Sequence, residues 1–168
     1  MIALRKPTKE DAKAEWELIR DMPEDENGLK NEWHGISYEE FVNEVLPGWE
    51  DHEKGLNMKP GYVPDTHYFL WDDDVIVGYF SLRHCLNDFL RNGPGHIGYS
   101  IKKEYRNKGY ATEGLRLAIE EARKLPIDTD EVYLAALKSN PASLKVMLKN
   151  GAYIAREDDE YVYTRIKL

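Results

Sequence analysis

The sequence predicts a single α+β domain over residues 1–168, with about seven strands and about four helices. Three observations carry this. The length is that of one compact domain, with apolar residues at 42% of the total. Short apolar runs bounded by turn residues recur at 67–71, 75–82 and 95–101. From Gly109 to Lys124 the apolar positions Ala111, Leu115, Ala118, Ile119 and Ala122 fall instead at helical spacing, and Pro126 ends the run.

In order along the chain, Ile2 to Arg5 forms the first strand, and Pro7-Thr8 then opens a helix with Thr8 as N-cap and Asp11 at the capping-box position. Trp16, Leu18 and Ile19 give that helix its buried side. Met22 to Ile36 is polar, acidic and broken by Pro23 and Gly28, which reads as a surface loop. Ser37 caps a second helix, Tyr38 to about Val45, and Pro47 to Pro64 reads as irregular. His67 to Trp71 and Val75 to Leu82 form an antiparallel pair around Asp72-Asp73-Asp74, which read as solvated turn residues rather than a cation site. Leu86, Phe89 and Leu90 mark a short helical turn before the strand Gly95 to Ile101, whose Ile97, Tyr99 and Ile101 share a face. After the long helix come a strand at Val132 to Leu137, a helix from Asn140 to Asn150 stopped by Gly151, and two strands, Tyr153 to Arg156 and Tyr161 to Ile166.

Charge and composition exclude several classes. The net charge is −8, the wrong sign for a default nucleic-acid binder. No stretch approaches the roughly 18–20 apolar residues that cross a bilayer, so no membrane partner is expected. The lone Cys85 cannot form an intramolecular disulfide and points to a reducing cytoplasm. Between Lys102 and Arg116, five cations face two anions, a local +3, and the rest of the chain therefore carries −11. An anionic ligand is drawn to that segment.

The same segment joins the strand ending at Ile101 to the helix beginning near Gly109, where unpaired backbone N–H groups and the positive end of the helix dipole attract phosphate. Gly109 allows close approach there, and Ala111 is nearly as small. Neither a P-loop nor a three-glycine dinucleotide fingerprint is present. On these residues alone, a phosphate site and an ordinary strand-to-helix turn both remain open.

Arg106-x-x-Gly109-x-Ala111 resembles the acetyl-CoA signature of the GCN5-related N-acetyltransferase superfamily, Arg/Gln-x-x-Gly-x-Gly/Ala. Asn140-x-x-Ser143 and Asn150-Gly151-Ala152 are similar to the second half of that superfamily's cofactor site, so the match runs in order over residues 67–168. Arg83-His84-x-Leu86-Asn87 and Gly95-His96-Ile97-Gly98-Tyr99-Ser100 are similar to a bacterial subgroup of predicted acetyltransferases. The resemblance implies a mixed, mostly antiparallel central sheet and an enzyme that moves an acetyl group from acetyl-CoA to a primary amine of a small molecule or peptide, without a metal. It implies that the backbone at Tyr99 and Ile101 pairs with the pantetheine arm. The N–H groups of Lys108, Gly109, Tyr110, Ala111 and Thr112 would hold the pyrophosphate in a binding segment that includes Asn107, Arg106 would add charge, and Asn140 and Ser143 would border the pantetheine.

Amine acetylation needs a base for an ammonium of pKa near 10.4. His96, at the start of the strand before the pyrophosphate turn, is the first candidate, and His84 beside Asn87 the second. The superfamily's frequent Tyr proton donor is here Met147, so either Tyr153 or Tyr161 substitutes or the thiolate leaves to water. Residues 1–60 hold fifteen acidic and eight basic side chains, a net −7 that suits either a cationic acceptor or plain solubility. Trp33 and Trp49, in segments read as irregular, are expected to be exposed and to cover a ligand or the partner in a homodimer. A non-catalytic acyl-CoA-binding module is the alternative function.

Overall fold

A computed structural model describes all 168 residues. In chain order the elements are β1 (Ile2–Arg5), α1 (Ala12–Asp21), β2 (Asp25–Glu26), β3 (Leu29–Lys30), α2 (Tyr38–Glu40), α3 (Leu46–Glu53), β4 (Asp65–Asp72) and β5 (Val75–Arg83). They continue with α4 (Asp88–Arg91), β6 (Ile97–Ile101), α5 (Tyr110–Lys124), β7 (Glu131–Leu137), α6 (Pro141–Lys149), β8 (Tyr153–Glu157) and β9 (Tyr161–Lys167).

An antiparallel sheet of order β1-β4-β5-β6 is buried on both faces, which is why β4 and β5 read as nearly continuous apolar runs. Tyr68, Leu70, Val77, Phe80 and Leu82 point to one face and pack with Leu115, Ala118, Ile119 and Ala122 of α5. Phe69, Trp71, Ile76 and Tyr79 point to the other and pack with Leu18 and Ile19 of α1 and with Phe41, Val45 and Trp49. A second antiparallel sheet has the order β7-β9-β8.

Three segments depart from the sequence reading. α1 begins at Ala12 rather than Thr8; Thr8 and Asp11 instead bond reciprocally in the preceding turn, at 3.1 and 3.0 Å. The expected loop at Met22–Ile36 contains the β2–β3 hairpin, turned by Asn27 and Gly28 at φ 53° and 90°. The segment after Val45, expected to be irregular, continues as helix to Glu53 through a π turn at Phe41–Val45, where Leu46 N–H reaches back to Phe41 O. Pro47 explains the wide turn, because it has no N–H for Asn43 O and its ring would crowd that carbonyl in a regular helix. Trp49 is thereby only 5% exposed, so it is a core residue and not a partner-covering one.

The two sheets meet at one point. Gly95 bridges Leu134, His96 N–H donates to Tyr133 O at 2.7 Å, and the Tyr133 N–H donates to His96 Nδ1 at 2.9 Å. Gly95 sits at φ 72°, and a Cβ there would lie 2.1 Å from Tyr133 O, so only glycine permits the approach. Beyond this junction β6 pairs only with β5, and β7 only with β9. The strands fork.

Two buried titratable groups contribute opposite pH responses. His96 is fully buried with Nε2 unpartnered, and burial lowers its pKa from 6.5 to about 4. The unfolded chain therefore binds more protons than the native one between these values, and stability falls by about 1.4 kcal/mol per unit as pH drops through that window. His96→Gln, which keeps an acceptor but does not titrate, should flatten this acid limb in denaturant melts, whereas His96→Ala should cost roughly 2–3 kcal/mol at pH 7 by leaving Tyr133 N–H unpaired. Glu15 acts oppositely: burial raises its pKa from 4.5 to about 7, with Oε2 unpartnered and Oε1 accepting from Thr8 N–H. Its contribution is complete below pH 4.5 and is lost as pH rises through 7. Glu15→Gln should therefore raise the melting temperature at pH 8 and change it little at pH 4.5.

Candidate active site

The fork opens a cavity of about 1050 Å³ that runs from the N-terminus of α5, between β6 and β7, to the face of the first sheet covered by the β2–β3 hairpin.

At the α5 end, Gly109 is the helix N-cap at φ 84°, with nothing within 4 Å of where its Cβ would project. No side chain caps the helix, and the N–H groups of Asn107 to Thr112 have no partner in the chain. The turn therefore offers a run of free donors at the positive end of a 15-residue helix. Lys102, Lys103 and Lys108 form no ion pair, but Arg106 is tied inward: its Nε donates to Ile101 O at 2.9 Å and its guanidinium pairs with Glu26 of the hairpin. The charge expected from Arg106 at the turn is thus offset by Glu26, while Lys145 and Lys149 of α6 line the cavity and form no ion pair. Tyr110 and Thr112 contribute backbone here; the Tyr110 hydroxyl donates to Asp72 at 2.6 Å and Thr112 O accepts from Asn150.

In the middle, Arg83 N–H donates to His96 O and Lys102 N–H to Val77 O. By the alternation of an antiparallel ladder, the backbone groups of Ile97, Tyr99 and Ile101 then face the open edge. The wall opposite is formed by Ala135, Ala136 and Leu137 of β7 and by Asn140 and Ser143 at the start of α6. Asn140 makes no side-chain cap, which leaves its amide free for the cavity. The Tyr99 hydroxyl meets Ser143 Oγ at 2.7 Å, and burial raises its pKa to about 12, opposed by that bond.

The far end is acidic and aromatic, lined by Glu32, Trp33, Tyr62, Asp65, His67, Tyr79 and Tyr161 among others. His67 Nδ1 lies 2.6 Å from Tyr79 Oη, and its Nε2 lies 3.3 Å from Asp65 Oδ2.

The three expected catalytic side chains are elsewhere. His96 spends its one free ring lone pair on Tyr133 N–H, is fully buried and does not line the cavity, so it cannot take a proton from a bound amine without releasing the fork. His84 bonds Thr66 through Nε2 at 2.8 Å, and Tyr153 is exposed, its hydroxyl donating to Glu131 at 2.5 Å. Neither borders the cavity. Met147 faces the core and accepts from Thr164 at 3.3 Å. The sequence reading missed Asp65, His67, Tyr79 and the Glu26 hairpin. A signal existed for both: polar Asp65, His67, Ser81 and Arg83 interrupt apolar strands at every second position, and Asn27-Gly28 is a hairpin turn pair.

A family model described as an acetyltransferase (GNAT) domain matches residues 2–153. No curated protein sequence matches the chain. Among solved structures, a probable acetyltransferase superposes with a TM-score of 0.68 at 22% identity, over 99% of this chain and 92% of that one. A ribosomal-protein-S5-alanine acetyltransferase from Vibrio fischeri does so with 0.68 at 18%, over the same shares. A spermidine N-acetyltransferase from Vibrio cholerae, solved with CoA and spermine, gives 0.63 at 15%, over 99% and 95%. These likenesses are of fold, the α+β architecture with antiparallel sheets expected from the sequence. The domain match spans most of the chain, including the forking strands β6 and β7 and the donor-lined turn, and on that ground the chain belongs to the GNAT acetyltransferase family.

Proposed function

We propose that this protein transfers an acetyl group from acetyl-CoA to a primary amine of a small molecule or peptide, working in the cytoplasm, where Cys85 stays reduced. The observation that carries the reading is the continuity of one cavity from a turn of free N–H donors, past two open strand edges, to an acidic and aromatic chamber. Acetyl-CoA supplies the activated acetyl group. The donors at 107–112 and the lysines suit its diphosphate, and the free backbone groups of Tyr99 and the free N–H of Ile101 suit an amide-bearing arm. Asn140 adds a side-chain amide beside that arm. Because the arm would lie along the fork, its thioester end would reach the chamber, where Glu32 and Asp65 favour a cationic acceptor. The spermidine and ribosomal-protein acetyltransferases of the same fold are consistent with amine acceptors.

Calorimetric titration with acetyl-CoA tests this. The wild-type chain should bind at micromolar Kd, and Gly109→Glu should weaken binding about 100-fold or more by placing a carboxylate against the diphosphate. Gly109→Ala, with the same backbone strain and no charge, should weaken it less. Thiol release with amines then separates an enzyme from a module that only binds acyl-CoA.

A further inference from the structure

The chamber holds a connected set of titratable groups that the cofactor reading does not use. Tyr79 and His67 are 3% and 5% exposed, on the first-sheet face that α1 and α3 cover, and both border the cavity. Trp49 stacks on the His67 ring at 4.2 Å and 11°, while Trp33 meets it edge-on at 5.8 Å. The imidazole is therefore held in one orientation, with Nδ1 toward the Tyr79 hydroxyl and Nε2 toward Asp65. Asp65 Oδ1 also lies 3.3 Å from His52 Nδ1. The remaining charged groups that act on Tyr79 are Arg83 and Glu32. A hydroxyl, an imidazole and a carboxylate set side by side, with His67 Nε2 buried and making no hydrogen bond although Asp65 lies 3.3 Å away, cost more to bury than apolar side chains of the same size. Their arrangement fits proton transfer: with Tyr79 donating to Nδ1, the ring proton sits on Nε2 and faces a carboxylate.

We infer that Tyr79 is the group that takes a proton from the acceptor ammonium, with His67 and Asp65 as the positioning residues behind it; this rests on the transferase reading above. The ammonium gives one proton to Tyr79 Oη as the hydroxyl proton passes to His67 Nδ1, and the imidazolium so formed faces the Asp65 carboxylate. The neutral amine then forms its N–C bond as the C–S bond breaks. Its second proton leaves with the thiol, and the proton on His67 returns through Tyr79 to solvent. Asp65 stays ionised throughout, because although burial pushes its pKa up, His67, His52 and Arg83 outweigh that and hold it low. Burial pushes the Tyr79 phenol well above its ordinary value, so it remains neutral and passes its proton only as it receives another.

The test is the pH profile of acetyl transfer, followed by thiol release, for wild type, Tyr79→Phe and His67→Gln with spermidine, lysine and an alanyl dipeptide as acceptors. Calorimetry on the same samples supplies the acetyl-CoA Kd. Tyr79→Phe should lower kcat/KM about 100-fold at pH 7 with the Kd unchanged. The deficit should shrink about tenfold or more toward pH 9.5, and at lower pH for the dipeptide, whose α-amine loses its proton near pH 8. His67→Gln should show the same shape. Equal turnover by Tyr79→Phe, or a deficit constant across pH as a packing role would give, overturns the relay. So does a wild-type chain that binds acetyl-CoA but acetylates none of the amines. Failure of the wild type to bind acetyl-CoA instead removes the transferase reading, and the relay with it.

Discussion

The junction of His96 with Tyr133 is the constraint on which the rest of the site depends. Two strands that continued to pair would close the sheet and leave no cavity, and two that never met would leave the sheets unattached. Here the backbone pairing stops after one bridge, because the second bond, from Tyr133 N–H, goes to the His96 ring instead of to a main-chain carbonyl. From that point onward β6 pairs only with β5 and β7 only with β9. The buried histidine is stable only as a neutral acceptor, which is the physical content of its lowered pKa.

From that fork the two halves of the site follow. On one side the free edges of β6 and β7 lead to the start of α5, where uncapped N–H groups and nearby lysines make a local positive field in a chain of net charge −8. On the other, the β2–β3 hairpin closes over the first sheet. The two are coupled electrostatically, since Glu26 of the hairpin holds Arg106 of the turn and also accepts from Ser100 of β6 at 2.8 Å. Arg106 thereby fixes where the turn lies as much as it contributes charge, and the acidic chamber and the basic turn share one ion pair.

The aromatic wall has a backbone origin. Pro47 forbids a regular turn, the π turn absorbs it, and the helix emerges rotated so that Trp49 lies flat on His67. Phe41, Phe69, Tyr79 and Trp33 surround that stack on the side away from the cavity lumen. Sequence periodicity does not register such a step, because a π turn shifts the apolar stripe by one residue and breaks the 3.6-residue pattern.

Local chemistry was legible in the sequence wherever neighbours along the chain decide it. The strands β4 to β6, helix α5, the turn with Gly109 and the pairing of Asn140 with Ser143 at the head of α6 were all expected close to their observed bounds, because alternation, helical spacing and glycine's tolerance of positive φ are properties of short segments. What only the tertiary structure decided is which side chains face the cavity. His96 occupies the expected place on its strand, yet the approach of Tyr133 from 37 residues away turns it into a structural acceptor. Asp65, His67 and Tyr79 lie in strands that local patterning marks as apolar, and they become a connected set only because β4 and β5 pair in register and a distant helix lays Trp49 across them. Spacing along a chain fixes backbone geometry, while burial and hydrogen-bond partners, which set the chemistry of a titratable group, come from residues brought together by folding.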